Sequence, residues 1–135
     1  MESGEAMVSV AGPAMNFILA FLFAIIYMAI VKFGGTFLLT PFGELVNITV
    51  VRIVAVNIGL GLFNLIPLPP LDGYKLFIKF LPYKAKEAIY KYEQYFHVIF
   101  LIIWITGAAT YIIGPINLLV TNGFLKVAGL IFGIG

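Results

Sequence analysis

Apolar positions fall along this chain in long runs separated by short polar breaks. From Ala14 to Val31 (AMNFILAFLFAIIYMAIV) only Asn16 is strongly polar, and about 18 apolar positions are near the minimum for crossing a bilayer as a helix. Lys32, Gly34 and Gly35 end the run, and Thr36 to Ile48, with Pro41, Gly43 and Glu44, reads as a loop or short interfacial piece. A second run, Ile48 to Ile66, is interrupted by Arg52, Asn57 and Asn64, with Arg52 close enough to its start to snorkel toward water. Pro67, Pro69 and Pro70 then stop it, because proline lacks an N–H and disfavours helix at the residue before it.

Beyond the prolines the spacing changes. Leu76, Phe77, Phe80 and Leu81, then Ala85, Ala88, Ile89 and Tyr92, recur at helical intervals with lysines opposite and Tyr83, Tyr90 and Tyr95 as interface anchors. The pattern predicts two short amphipathic helices within 73–95, lying on the membrane surface and separated by Pro82. His97 to Ile113 reads as a third span ended by Gly114-Pro115. The remainder, 116–135, is apolar but broken by Asn117, Asn122, Gly123 and Lys126, which leaves an interfacial helix, a re-entrant helix and a weak fourth span all open. The expectation is an all-α, polytopic membrane protein forming a single membrane domain over 1–135, with about three transmembrane helices near 14–31, 48–66 and 97–113.

Composition agrees with that reading. The chain is 62% hydrophobic and 10% charged with a mean hydropathy of +1.10, against about 45–50% apolar and about 25% charged in ordinary soluble domains. The lipid bilayer is therefore the first partner. A net charge of +2 without a basic face argues against nucleic acid, and the lack of cysteine excludes disulfides and thiolate metal sites. The acidic start, Glu2 and Glu5 with no basic residue ahead of the first run, does not fit a signal peptide, so the first span is expected to remain. Five of the eight basic residues lie between Leu71 and Phe96. The positive-inside bias then places 71–96, and the start of the chain, on the cytoplasmic side.

Candidate chemistry gathers at the end of the second run, Asn57 to Gly73. Three prolines in four residues, Pro67, Pro69 and Pro70, force extended backbone there, and unpaired backbone is tolerated near membrane depth only beside protein or a water-filled cavity. Asp72 follows directly. A carboxylate at the hydrocarbon boundary is costly unless it meets a cation, a metal or water; alternatively, Asp72 caps the N-terminus of the helix that begins at Gly73.

Two motifs here resemble the site-2-protease-like intramembrane zinc metalloproteases, peptidase family M50. Ala11-Gly12-Pro13-Ala14-Met15-Asn16 is similar to the family's AGPxxN at the head of a span, and Asn64 to Gly73 to its NxxPxPxLDG, with Pro67 and Pro69 in the frame. The resemblance implies that Asp72 is a zinc ligand, that Asn64 faces the catalytic water or oxyanion, and that two histidines come from an HExxH helix. It also implies hydrolysis of peptide bonds of membrane-protein substrate helices, by water that zinc acidifies and a carbonyl that zinc polarises. Interhelical hydrogen bonding is the competing role for Asn64 and the expected role for Asn16.

No HExxH occurs in the sequence, and the one histidine, His97, reads as an interface residue. This chain alone is therefore expected to be inactive, as a fragment, one part of a split enzyme that needs an HExxH-bearing segment, or a homologue that has lost activity. The alternative of another class is a non-catalytic membrane scaffold or pseudoprotease that binds partner helices.

Overall fold

The structure is a computed structural model describing residues 2–69 and 71–134, the side chains of residues 2–6 and 9 excepted. Pro70 and the side chains of Glu2 and Glu5, on which parts of the sequence reading rest, lie outside the described set. Six α-helices follow one another, with no strand among the described residues: α1 (Glu2–Phe33), α2 (Pro41–Asn64), α3 (Asp72–Lys79), α4 (Tyr83–Lys91), α5 (Glu93–Thr106) and α6 (Ala108–Ile131).

Among the described residues three segments are long and apolar enough to cross a membrane: Val10–Phe33, Pro41–Asn64 and Ala108–Ile131, each of 24 residues. At 1.5 Å per residue each is about 36 Å long, enough for a hydrocarbon core of about 30 Å. The fold is thus all-α with three candidate spans, but two of their boundaries differ from the sequence expectation.

The helix α2 starts at Pro41, well before Ile48. Thr40 is its N-cap, its hydroxyl accepting a hydrogen bond from the Gly43 N–H at 3.0 Å, and Pro41 sits at the first helical position. Proline is favoured there because the first-turn N–H has no intrahelical partner to lose. The longer helix moves Arg52 from near its start to its middle.

The third long helix is α6 rather than residues 97–113. Gly107, at φ +73°, takes the left-handed conformation that ends α5 after 14 residues, or about 21 Å of helix. Gly114-Pro115 does not break the chain, since Pro115 lies inside α6, as membrane helices tolerate. Residues 116–131 are therefore the body of a candidate span. Between the spans and α5, α3 and α4 form the two short amphipathic helices expected on either side of Pro82.

The number of crossings follows from where the ends meet. At the close of α1 the Lys32 ammonium donates to the Phe132 carbonyl at 2.6 Å, and the Phe33 and Phe132 rings lie edge to face at 6.0 Å. α1 and α6 thus end on the same side. A chain that crosses as α1, α2 and α6 therefore keeps α5 on the side where α2 exits.

Small residues let the three spans pack closely. Ala20, Ala24, Val54, Ile58 and Ala128 are buried at their crossing, and a Cβ on Gly61 would come within 2.9 Å of the Phe17 ring. Where lipid is as apolar as leucine, such close packing and interhelical hydrogen bonds hold helices together. Asn117 makes one such bond, its side-chain amide donating to the Ala55 carbonyl at 3.0 Å while its oxygen accepts from Thr121 at 2.8 Å.

This topology is open to a labelling test. Single cysteines replacing Gly35 and Gly133 should react with a membrane-impermeant maleimide from one face of a sealed vesicle, and a cysteine replacing Lys84 only from the other. Opposite-face labelling of Gly35→Cys and Gly133→Cys would mean that α5 crosses as well.

Candidate functional site

The site is built where α2 gives way to α3. After Asn64 the chain makes a series of tight turns: Leu65 N–H to Leu62, Ile66 to Phe63 at 3.2 Å, Leu68 to Ile66 at 2.8 Å and Leu71 to Leu68 at 2.9 Å. The non-proline N–H groups of residues 65–71 are thus used internally, and proline has none. The prolines predict extended backbone here, whereas the structure forms hydrogen-bonded turns. The turns leave this stretch no N–H to donate.

Leu71, extended at φ −74° and ψ 155°, is the N-cap of α3, and Asp72 is the first helical residue rather than the cap. A carboxylate in the first turn still lies favourably at the positive end of the helix dipole. Gly73 explains how the turn closes. A Cβ there would collide with the Leu65 carbonyl and lie 2.6 Å from the Ile66 carbonyl oxygen. Only glycine lets α3 press its first turn onto the carbonyl end of α2.

That docking turns Asp72 toward the head of α1. A Cβ on Gly12 would stand 3.2 Å from the Asp72 Oδ2, so two motifs sixty residues apart in sequence meet at this point. Pro13, next to Gly12, is buried, as is Pro69, whereas Pro67 is exposed. The Asp72 side chain is half-buried between the elements rather than directed into bulk solvent. Its carboxylate forms no hydrogen bond or ion pair among the described residues. The same junction borders an open apolar pocket of about 230 Å³ lined by Val10, Pro13, Ala14, Phe17, Leu65 and Leu76.

Other candidates are placed differently. Asn64 is half-buried at the end of α2, and Asn16 is half-buried one helical turn beyond Gly12. Neither side chain makes a hydrogen bond among the described residues; the tie between spans is Asn117 instead. His97 is exposed in the first turn of α5, beside a shallow groove shared with Tyr90, Lys91, Glu93 and Gln94. No group of three His, Cys, Asp or Glu side chains that could hold a metal occurs among the described residues.

Tyr74 was not singled out by the sequence, although it lies two residues after Asp72. It is buried on α3, where burial, and then the neighbouring Glu93 carboxylate, push its phenol up to about 12. Its hydroxyl does not meet a partner in good hydrogen-bond geometry. The pair connects the helix bearing Asp72 to the start of α5.

Two substitutions probe this junction. Gly73→Ala should destabilise the protein by about 1–3 kcal/mol, the range of overpacking, toward the upper end because the obstacle is backbone. Unfolding in mixed detergent micelles measures it, and an unchanged midpoint would refute the close approach. For Tyr74 the folded-state pKa exceeds the unfolded value of 10.0, so its stabilisation is complete below about pH 10 and is lost as pH rises through about 12. The loss should total about 2–3 kcal/mol in an alkaline unfolding profile followed by tyrosinate absorbance, and be missing in Tyr74→Phe.

Comparison with known proteins bears on the same stretch. The chain is 31% identical over 126 residues to the protein named "Putative zinc metalloprotease YwhC" of Bacillus subtilis (strain 168), an alignment covering 93% of this chain and 57% of that relative. It therefore spans little more than half of the relative's length. No solved structure matches. The model of peptidase family M50 matches residues 34–107, which include α2, the proline-rich turns, Asp72 and the interfacial helices. With more than half of its residues matched, this chain belongs to peptidase family M50.

Proposed function

We propose that the chain forms the aspartate-bearing part of an intramembrane zinc metalloprotease that hydrolyses peptide bonds of membrane proteins. The observation that carries this reading is the Asp72 carboxylate: half-buried at the meeting of α1, α2 and α3, with no hydrogen-bond partner among the described residues, and locked in place by Gly73. A carboxylate so placed is costly unless something compensates it, and a metal ion is the compensation the family offers.

The described residues alone do not complete a zinc site. A catalytic zinc takes about three protein ligands and keeps one position open, and this junction provides one carboxylate. The reading therefore requires the two histidines and the general base of an HExxH-bearing segment. In that assembly Asp72 is the third ligand, Gly12 leaves space beside its carboxylate, and Asn64 faces the reacting water or oxyanion. Residues 71–96 lie on the cytoplasmic side, where the lysines of α3 and α4 face the inner leaflet, and substrates are transmembrane helices of other proteins.

A non-catalytic scaffold is favoured by one observation, the single potential ligand at the junction. Reconstituting the chain with an HExxH-bearing helix supplied in trans separates the readings. The protease reading expects about one zinc per complex, most of it lost in Asp72→Ala and substantially kept in Asp72→Glu. Equal zinc with native chain and Asp72→Ala would remove Asp72 from the ligand set.

A further inference from the structure

Placing the start of α2 at Pro41 changes the meaning of Arg52. It lies eleven residues after Pro41 and twelve before Asn64, so about 16–18 Å of helix separate it from either end. Arginine can snorkel from near a span's end by laying its stem along the helix, but from here its stem covers less than half of the distance to water. Its side chain is exposed on the bundle and makes no hydrogen bond, ion pair or ring contact with the described residues.

The direction in which Arg52 points is also fixed. Val50, Val54, Ile58 and Gly61 are buried against the other spans. On the opposite side Ile48, Arg52, Val56 and Leu60, at helical spacing, face outward, with Val56 59% exposed. Further along that side, Gly59 and Phe63 open into a groove of about 450 Å³ shared with Trp104, Gly114 and Asn117. The surface is an apolar helix face with one positive charge at mid-depth, bordered by a groove in which the Asn117 amide already meets Gly59 while the space beside Gly114 is open.

A cation at the centre of a span costs about 2.5–3.5 kcal/mol on insertion scales, and such residues are as a rule paired or turned toward a cavity. A second copy of this chain has no acid to offer at that depth: the acidic residues are Glu2, Glu5, Glu44, Asp72, Glu87 and Glu93, all outside the middle of a span.

We propose that the outward face of α2 is the docking surface for a transmembrane helix, not a copy of this chain, that carries an aspartate or glutamate near its middle and pairs that carboxylate with Arg52. The helix seats its apolar side on Ile48, Val56 and Leu60. This inference rests on α2 crossing the membrane and is independent of the protease reading.

The test uses the full chain in phosphatidylcholine vesicles with a leucine-rich transmembrane peptide bearing one central Glu, and the same peptide bearing Gln. Energy transfer between labelled protein and labelled peptide reads association. The Glu peptide should bind about tenfold more tightly than the Gln peptide, within the range of polar contacts between membrane helices. Arg52→Leu should erase that difference, Arg52→Lys keep most of it, and Lys126→Leu, which removes a cation from α6, leave it intact. Equal binding of the two peptides overturns the proposal and leaves Arg52 to a lipid phosphate. A difference that survives Arg52→Leu overturns it too. Hydrogen exchange at α2 amides in the same vesicles reports whether α2 crosses, which separates failure of the docking from failure of the span.

Discussion

Everything around the candidate site depends on one contact between backbones, the seating of Gly73 on the carbonyl end of α2. A bilayer penalises free backbone groups, so a chain that leaves a span must satisfy its N–H and C=O groups within a few residues. Here the turns from Leu65 to Leu71 use their own N–H groups, and the missing side chain at Gly73 lets the next helix start directly against them. Asp72 has its direction from this contact. One residue later in the chain, its carboxylate would face elsewhere on α3 by the roughly 100° that each helical residue turns.

The spans depend on the same economy of side chains. Alanine and glycine at Ala20, Ala24, Gly61 and Ala128 bring the helices together, and Phe124 of α6 meets Phe17 and Phe21 of α1 edge to face. Within this packing Asn117 has both ends of its amide satisfied, so its polarity adds specificity without leaving an orphaned group. Asp72 and Arg52 differ from it: each presents a charge that no described residue meets, one at the membrane boundary and the other at mid-span.

Much of this was legible in the sequence, and the reasons for the failures are physical. Hydropathy alone found α1 and the body of α2, and helical spacing found α3 and α4 with Pro82 between them. The start of α2 is harder to read because proline is usually a helix breaker, whereas Thr40 and Pro41 together form a helix start. The third long apolar helix lies later than 97–113 because Gly107 ends α5 while Pro115, a breaker by local propensity, sits inside α6. In lipid a proline inside a helix is tolerated, while a glycine at positive φ ends one. At the site, motif resemblance singled out Asp72, Gly12 and Gly73, but their mutual approach needed three dimensions. Tyr74 and Asn117 carried no signal beyond their polarity, since what distinguishes them is the neighbour each one meets.

The Lys32 ammonium that reaches the Phe132 carbonyl has a mechanical implication. It places a positive charge at the negative end of α6, a favourable electrostatic contact, and so pins the first and last crossings together at the edge of the bundle farthest from Asp72. Helices fastened at one rim part more readily at the other. Any widening that admits a polypeptide or an additional helix to the carboxylate is thereby directed to the rim where α3 lies, with the lysine acting as the pivot.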